Sequence, residues 1–278
     1  MTRDLQLCEA LCAWFVDAGQ VVVLVSGGVD SAVLAHAARR ALGDRAMAAT
    51  GVSHSLAEAD RASATAMCAD LGMAHLEFAT DELADPNYVA NPVDRCYHCK
   101  AELFSAARAA LLGPFASAAI IEGTHTDDLL GHRPGARAAT EAGVRSPFVE
   151  LGWSKAQVRC AAEQLGLPPA LAQRPASPCL ASRLPYGTHV TADRLHAVEA
   201  AELILRQRGY RQCRVRHHGT IARIELPAAQ LAQFVAHDGR EVAAALRPLG
   251  FVYTTVDVLG LRSGSMLEAT RSLSIGAP

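Results

Sequence analysis

Residues 21–34 read VVVLVSGGVDSAVL, and this stretch decides the fold of the chain. The five apolar residues at 21–25 predict a buried parallel strand, and from Ala32 onward apolar residues recur at helical spacing. Between them, Gly27 and Gly28 allow the backbone to turn sharply and to approach a ligand without a Cβ in the way. The helix that follows points free N–H groups and its positive dipole end at this turn. The stretch therefore predicts an anion-binding site.

The residues of the turn, SGGVDS, indicate which kind of anion binds there. A Walker A loop needs a lysine directly after its last glycine, but Val29 follows Gly28 here. Two serines supply hydroxyl groups, and Asp30 supplies a carboxylate suited to hold Mg²⁺ or to orient a phosphate-bound water. SGGVDS resembles the PP-loop of the ATP pyrophosphatase superfamily, whose members split ATP to AMP and pyrophosphate; an ordinary turn rich in small residues is the alternative. We predict that ATP is bound by Ser26, Gly27, Gly28, Asp30 and Ser31. Asp30 is also a predicted metal ligand.

Composition bounds the class of protein. The chain has 278 residues, of which 50% are hydrophobic, so it can bury a large core in one large or two modest domains. The formal net charge of -2 does not indicate bulk nucleic-acid binding. No run of about 18 apolar residues occurs, and the segment MTRDLQLCEA lacks the pattern of a signal peptide. We expect a soluble, cytoplasmic protein with no nucleic-acid and no membrane partner.

Strands and helices alternate through the first part of the chain, which predicts a parallel sheet with crossover helices on both faces. The predicted helices span 5–16, 32–42, 56–71 and 96–112, and the predicted strands span 21–25, 46–52, 74–78 and 118–121. The predicted fold class is α/β: a doubly wound parallel sheet of the PP-loop ATP pyrophosphatase kind, similar to the adenine nucleotide alpha hydrolases, with a smaller C-terminal α+β domain.

Polar residues follow two of the predicted strands. Ligands of parallel sheets bind beyond the carboxyl ends of the strands, where Ser53 follows the second strand and the segment EGTHTDD at 122–128 follows the fourth. This segment resembles the GxNxDD-like segment that PP-loop enzymes place beside ATP, with His125 in place of the asparagine. For the two adjacent carboxylates, a pair of helix N-cap residues is the alternative. We predict nucleotide contacts by Ser53, Thr124, Asp127 and Asp128.

Eight cysteines are scattered through the chain, and four of them lie in helical patterns that indicate buried, inert thiols: Cys8, Cys12, Cys68 and Cys160. Cys96 and Cys99 differ, because they form a CxxC motif after a loop at 81–95 that two prolines interrupt. A redox pair, half of a zinc site, part of an iron–sulfur site and two partly buried thiols all remain open for this motif.

Cys179 lies in a segment at 165–190 that carries five prolines and two glycines. This composition excludes regular structure over most of the segment and predicts a boundary between domains. A cysteine on an irregular loop near Arg183 has its thiolate stabilised, which makes Cys179 a candidate nucleophile.

From Thr191 the pattern changes to that of a small α+β domain. Thr191 caps a helix that runs to about Arg208, and further strands at 212–216, 221–226 and 251–256 alternate with helices that begin at Pro227 and near Arg240. The predicted domains are a PP-loop domain at 1–170, an active-site linker at 171–190, and a small substrate-binding and oligomerisation domain at 191–278.

Arg214 and Arg216 lie two residues apart on one predicted strand, so their side chains share a face. Two guanidinium groups on one face suit a phosphate or a carboxylate bound bidentately. An exposed strand face with solvated charges is the alternative.

Five motifs together resemble the LarE family of ATP-dependent sacrificial sulfur transferases, and they cover nearly the whole chain: SGGVDS, RCYHCK, RPASPCLASRLPYG, RVRHHGTIARIE and VDVLGLRSGSM. The resemblance implies an enzyme that uses ATP and Mg²⁺ to adenylate a carboxylate of pyridinium-3,5-biscarboxylic acid mononucleotide. It also implies that the thiolate of Cys179 attacks the acyl-adenylate, and that cleavage of the cysteine Cβ–S bond releases a thiocarboxylate. This product is an intermediate on the way to the nickel-pincer nucleotide cofactor.

The resemblance further implies roles for residues that spacing alone leaves open. A homo-oligomer is expected, and some relatives use an iron–sulfur cluster as the sulfur source, for which three cysteines are the usual requirement. The implied catalytic residue is Cys179, and a further candidate metal ligand is Asp257. The implied substrate contacts are Ser182, Arg183, Glu202, Arg214 and Arg216. The possible cluster ligands are Cys96, Cys99 and Cys179.

Three other functions fit parts of the sequence. A PP-loop synthetase that uses ammonia needs no nucleophilic cysteine, so it predicts full activity without Cys179. A tRNA thiolase also combines a PP-loop with a CxxC motif, and it predicts a basic surface. An ATP-sensing module without chemistry predicts no release of pyrophosphate that depends on a second substrate.

Overall fold

A computed structural model of the chain describes residues 5–130, 134–175, 177–262, 264–266 and 268. Contacts divide the chain into two compact units. The first unit consists of Met1–Asp85 and Asp94–Ser177, and the second unit consists of Pro86–Val93 and Pro178–Pro278. The domain boundaries expected at 170 and 190 remain predictions.

The regular elements follow the alternation that the sequence predicts. The helices are α1 Leu5–Ala18, α2 Val29–Leu42, α3 Glu58–Asp70, α4 Pro86–Val89, α5 Arg95–Ala110, α6 Thr126–Leu129, α7 Pro134–Glu141, α8 Pro147–Glu150, α9 Lys155–Gln164, α10 Pro169–Ala172, α11 Ala192–Gln207, α12 Ala228–Gln233 and α13 Gly239–Leu246. The strands are β1 Val21–Leu24, β2 Ala46–Val52, β3 His75–Ala79, β4 Ala119–Ile121, β5 Arg214–His218, β6 Ile221–Glu225 and β7 Tyr253–Val256. Short 3₁₀ turns lie at Gly43–Arg45, Glu82–Ala84, Gly113–Phe115, Leu180–Arg183 and Arg247–Leu249, and a π-helical turn lies at Phe234–Asp238.

The first unit is built on a four-stranded parallel sheet with the strand order β3-β2-β1-β4. All four residues of β1 are buried, which explains its continuous apolar run. Val21 and Val23 belong to one apolar cluster, whereas Val22 and Leu24 belong to another. Because successive strand residues point to opposite faces, helices cover both faces of the sheet. The predicted doubly wound α/β fold is confirmed.

The second unit contains a three-stranded mixed sheet with the strand order β5-β6-β7. β5 and β6 pair antiparallel, and β6 and β7 pair parallel. Its buried apolar cluster joins α11, through Leu205, to the strand residues Val215 and Ile224 and to Phe234 and Phe251. The predicted small α+β domain is therefore confirmed in its architecture.

Two local predictions were wrong. The loop expected at 81–95 contains helix α4, which Pro86 begins in a position where the missing N–H of proline costs nothing. The four-residue connection expected at 217–220 is shorter, since His217 and His218 continue β5 and pair with Ala222 and Ile221. Two-residue hairpin turns match the twist of paired strands, so the ladder extends through both histidines.

Thr191 caps its helix as the sequence predicts, and Ser154 caps α9 in the same way. Each side-chain oxygen accepts a hydrogen bond from a backbone N–H in the first turn, that of Gln157 in α9 and that of Arg194 in α11. Across the described part of the chain, every helix is too short or too polar to cross a membrane.

Candidate functional site

The glycine-rich turn joins β1 to α2 in a preformed conformation. Gly27 has a φ of 74°, a left-handed conformation that favours glycine. The hydroxyl of Ser31 donates to the carbonyl oxygen of Gly28 at 3.0 Å and accepts from the backbone N–H of Ser26 at 3.2 Å. These bonds hold the turn against the N-terminus of α2, where the helix dipole favours an anion.

Gly27 is also confined by its neighbours, which gives a first prediction. A Cβ on Gly27 would lie 2.3 Å from the backbone oxygen of Asp60, whereas a Cβ on Gly19, at a φ of 78°, would meet nothing within 4 Å. We expect Gly19→Ala to lower the free energy of unfolding by about 1–2 kcal/mol through backbone strain alone. Gly27→Ala should cost at least about 3 kcal/mol, because overpacking adds to the same strain. Urea denaturation measures both, and equal losses would contradict the close contact.

Lys155 brings two predicted nucleotide residues together. Its ammonium group binds both carboxylate oxygens of Asp30, at 2.5 and 2.6 Å. Its backbone N–H, at the first position of α9, donates to Asp127 at 2.9 Å. Lys155 was not among the site residues predicted from the sequence, although Lys100 and Lys155 are the only lysines in a chain with 26 lysines and arginines together. The rarity of lysine in this chain is the feature of the sequence that could have drawn attention to Lys155.

The carboxyl end of β4 carries a second ion pair, between Lys100 and the buried Glu122. Glu122 also accepts hydrogen bonds from Thr124 at 2.6 Å and from Ser146 at 3.3 Å. Burial alone raises the pKa of the Glu122 carboxyl, but the charge of Lys100 and these hydrogen bonds outweigh it and hold the pKa below its usual value. The Thr124 hydroxyl therefore donates its hydrogen bond to a charged carboxylate.

Asp127 and Asp128 bind the N-termini of two different helices. Asp127 accepts from the first residue of α9, and Asp128 accepts from the backbone N–H of His125, which precedes α6, at 3.3 Å. These contacts are those of the capping alternative. A Cβ on Gly123 would lie 3.0 Å from the Cβ of Asp30, so the loop after β4 packs directly on the glycine-rich turn. Nucleotide contacts by the two carboxylates remain a prediction.

Glu82 contacts both Ser53, which follows β2, and Cys99, which lies on α5. This buried carboxylate accepts from the hydroxyls of Ser53 and Thr80, each at 3.2 Å, and the Cys99 sulfur lies 3.6 Å from it. Cys96, one turn earlier on α5, is exposed. Over the described residues, no three His, Cys, Asp or Glu side chains are arranged to hold a metal ion. The three-cysteine cluster stays a prediction.

In the second unit, Cys179 directly precedes the 3₁₀ turn Leu180–Arg183 and is half-buried. The guanidinium of Arg183 donates to the carbonyl oxygens of Pro178, at 2.5 Å, and Cys179, at 3.2 Å. Its Nη1 also donates to the Ser182 hydroxyl at 3.0 Å, and the Ser182 backbone N–H donates to the Cys179 carbonyl at 2.9 Å. A charged side chain that is only 1% exposed thus fixes the backbone on both sides of the predicted nucleophile.

Glu202 holds Arg183 in this position. Glu202 is fully buried, and its carboxylate binds Arg183 at 2.8 and 3.1 Å, Arg206 at 2.7 Å and the backbone N–H of Val215 at 3.2 Å. Burial raises the pKa of Glu202, but the surrounding arginines, Arg183 first, outweigh it and lower the pKa. A substrate contact by Glu202 stays a prediction, since these groups surround its carboxylate.

The two arginines of β5 have different surroundings. Arg216 donates to Glu225 at 2.8 Å and to the carbonyl oxygen of Ser182 at 3.2 Å, so it touches the turn after Cys179. Its Nε is buried and has no hydrogen-bond partner among the described residues. Arg214 donates to the carbonyl oxygen of Cys213 at 2.8 Å, and burial lowers its pKa. A buried guanidinium with a donor still available suits an anionic ligand.

Asp257 follows β7 and serves as a turn residue. Its carboxylate accepts from the backbone N–H of Leu259 at 2.9 Å and pairs with Arg262 at 3.0 Å and Arg223 at 3.4 Å. Burial opposes ionisation, yet these partners lower the pKa of Asp257. Metal binding by Asp257 remains a prediction.

Known proteins resemble this chain over most of its length. The profile of the NAD synthase family matches residues 15–98. An uncharacterized protein of Synechocystis sp. is 43% identical over 263 residues, 93% of this chain and 96% of that protein. The pyridinium-3,5-bisthiocarboxylic acid mononucleotide synthase of Lactiplantibacillus plantarum is 36% identical over 257 residues, 92% of each chain. An uncharacterized protein of Methanocaldococcus jannaschii is 26% identical over 175 residues, 63% of this chain and 67% of that protein.

The parallel sheet, the turn after β1 and the NAD synthase match define the class of the first unit, a PP-loop domain of the ATP pyrophosphatase superfamily. The identity to the Lactiplantibacillus enzyme, which spans 92% of both chains, is specific enough to name the family. The chain belongs to the LarE family. The family and the fold class predicted from the sequence are thus confirmed.

Proposed function

We propose that this protein is an ATP-dependent sulfur transferase that adenylates a carboxylate of pyridinium-3,5-biscarboxylic acid mononucleotide and converts it to a thiocarboxylate with the sulfur of Cys179. Membership of the LarE family supports the reaction class. The observation that carries the role of Cys179 is its place on a turn whose backbone a buried arginine fixes, through contacts to Pro178 and Cys179. A nucleophile on a rigid turn loses little freedom when it attacks.

Adenylation is the first step. The substrate carboxylate attacks the α-phosphorus of ATP, an acyl-adenylate forms, and pyrophosphate leaves. The N-terminus of α2 and the ammonium of Lys155 stabilise the negative charge that develops on the leaving group. Mg²⁺ accepts hard oxygen ligands together with ATP phosphates, and the Asp30 carboxylate would hold it once its two oxygens part from the ammonium of Lys155. When bound, Mg²⁺ neutralises phosphate charge.

Sulfur transfer is the second step. The thiolate of Cys179 attacks the acyl carbon, AMP leaves with the bonding electrons, and a thioester forms. A base then removes the Cα proton of residue 179, the Cβ–S bond breaks, and its electrons go to sulfur. The products are a thiocarboxylate and dehydroalanine at position 179. We propose that Arg214 and Arg216 bind anionic groups of the mononucleotide, which the buried, unpartnered Nε of Arg216 supports.

Intact-protein mass after one turnover with ATP, Mg²⁺ and the dicarboxylate mononucleotide tests this proposal. Loss of H₂S from a cysteine lowers the mass by about 34 Da, and peptide mapping should locate the change at Cys179. The protein is purified without oxygen and its iron and sulfide are measured first. Thiocarboxylate formation with an unchanged mass would overturn the sacrificial step, and sulfur from a cluster held by Cys96, Cys99 and Cys179 would replace it.

Lys155 gives a prediction for the first step alone. Lys155→Met should slow substrate-dependent pyrophosphate release by about 100-fold, because one preorganised positive charge near the leaving group is lost. Arg159→Met is the matched control, since Arg159 is an exposed basic residue one turn later on α9. Its rate should stay within about twofold of the wild type. A normal pyrophosphate burst in Lys155→Met would remove Lys155 from the reaction.

We also propose a cytoplasmic homo-oligomer. Exposed apolar side chains of the second unit support self-association, among them Val235, Val258 and Leu259. Light scattering after size-exclusion chromatography gives the mass of the particle, and a monomer at micromolar concentration would contradict the oligomer.

A further inference from the structure

Asp60 forms a cluster in the first unit that the proposed mechanism does not use. It lies in the first turn of α3 and is only 7% exposed. Its Oδ1 binds the guanidinium of Arg174 at 2.6 Å, and its Oδ2 accepts from the hydroxyl of Ser177 at 3.0 Å. Arg174 and Ser177 lie more than 110 residues away in sequence, after α10. One buried carboxylate therefore binds both Arg174 and Ser177.

The same cluster touches the nucleotide turn at Gly27 in two ways. The Nη1 of Arg174 donates to the carbonyl oxygen of Gly27 at 2.8 Å. The backbone oxygen of Asp60 lies so close to Gly27 that a Cβ there would be 2.3 Å from it. Charge-assisted hydrogen bonds in a mostly buried site are short and directional, so Arg174 is fixed to the turn.

In the proposed mechanism, adenylation and sulfur transfer depend on different parts of the chain. The turn at Ser26 to Ser31 is the part that adenylation needs, whereas sulfur transfer also needs the residues that lead into Cys179. Ser177 precedes Cys179 by two residues in the sequence. A misplacement of about 1 Å between reacting groups can lower a rate by about 100-fold, even when the change lies outside the reacting atoms.

We propose that Asp60, Arg174 and Ser177 are positioning residues for sulfur transfer: within the first unit they hold Arg174 and Ser177, which precede Cys179 in the sequence, to the nucleotide turn. We call these three residues the Asp60 clamp. The inference rests on the proposed function, because it assigns the clamp to the second chemical step and not to adenylation. None of the three residues contacts the reacting atoms in this assignment, and each acts through the segment it holds.

Single-turnover kinetics of Ser177→Ala test the clamp. This variant should slow the mass loss at Cys179 by about 10- to 100-fold, while the first burst of pyrophosphate stays within about twofold of the wild type. Thr65→Ala is the matched control, because the Thr65 hydroxyl also lies on α3 but bonds Arg61 and Glu77, each at 3.2 Å, rather than a clamp residue. Ser177→Thr keeps the hydroxyl and should restore the rate. Equal slowing of both steps, or of neither, would overturn the inference.

A second measurement judges the clamp without relying on the proposed reaction. The rate of Cys179 alkylation by iodoacetamide, followed by peptide mapping, should rise several-fold in Ser177→Ala and in Arg174→Lys and stay at the wild-type value in Thr65→Ala. Unchanged alkylation in the first two variants would overturn the clamp. Failure of the proposed function looks different, since the wild type itself would then show neither pyrophosphate release nor mass loss.

Discussion

Replacement of Cys179 by alanine is expected to abolish thiocarboxylate formation and to leave substrate-dependent pyrophosphate release intact. The variant lacks the sulfur atom that, in the proposed mechanism, both attacks the acyl-adenylate and becomes the product sulfur. We expect product to fall by at least about 1,000-fold, as when a catalytic nucleophile is removed. The acyl-adenylate should still form, because the turn after β1 and Lys155 are untouched. Rapid-quench assays of pyrophosphate and thiocarboxylate in the same samples measure both steps.

Two controls make this experiment decisive. Cys68→Ala removes a buried thiol whose pKa burial raises to about 11, so it should leave both steps near the wild-type rate. Cys99→Ala tests the cluster alternative, because Cys99 lies on α5 and takes no part in the sacrificial reaction. Full activity in Cys179→Ala would instead favour a synthetase that uses ammonia. Loss of thiocarboxylate in Cys99→Ala would favour sulfur from a cluster.

Replacement of Glu202 by glutamine is expected to be the most destabilising of these changes. Glu202 is fully buried, and the neutral amide introduced by Glu202→Gln would leave the charge of Arg183, itself 1% exposed, without its counter-ion. Removing one partner of a buried ion pair typically costs about 3–5 kcal/mol. The free energy of unfolding from urea titration at neutral pH gives the loss. Because Arg183 also fixes the backbone around Cys179, sulfur transfer should slow in the same variant.

The control for this prediction is Glu241→Gln. Glu241 pairs with Arg208 at 2.9 Å, as Glu202 does with Arg183, but its side chain is 72% exposed. Exposed ion pairs contribute less than about 1 kcal/mol, so this variant should unfold nearly as the wild type does. If the two variants lost equal stability, burial of the Glu202 pair would not be the cause.

The contribution of Glu202 should also depend on pH in a defined direction. Its pKa in the folded protein lies below the ordinary value of 4.5, because the arginines around it stabilise the charged form. A carboxylate whose pKa is lower in the folded protein than in the unfolded chain stabilises the fold when the pH is above its pKa in the unfolded chain. This stabilisation is lost as the pH falls through its pKa in the folded protein. The stability gap between wild type and Glu202→Gln should therefore stay constant from about pH 6 to 8 and narrow below about pH 4.5. A gap that widened on acidification would contradict this sign.

The fold could be predicted because its signals are local. An apolar run of strand length, a turn with two glycines and a helix-period pattern follow one another within residues 21–34, and each limits the backbone on its own. The caps at Ser154 and Thr191 were predictable for the same reason, since a cap depends on residues within one helical turn. The histidines of β5 show the limit, because strand pairing and not local preference extended that strand.

The side-chain partners of the site could not be predicted in this way. Asp30 was predicted as a nucleotide and metal residue, but its partner Lys155 lies 125 residues later. Glu202 was predicted as a substrate contact, and the fold surrounds it with Arg183, Arg206 and a backbone N–H. Such pairings depend on which helix packs beside which strand, and that information is spread over the whole chain.

The sequence by itself determined the class of this protein: the parallel α/β domain and the family, with Ser26 to Ser31 as the candidate anion site and Cys179 as the candidate nucleophile. These follow from short motifs whose residue types are required by backbone geometry or by chemistry. Only the tertiary structure decided which charges neutralise one another. It paired Lys155 with Asp30, Arg183 with Glu202, and Asp60 with Arg174 and Ser177. Buried charges need partners at hydrogen-bond distance, and that distance is set by packing between residues far apart in the chain.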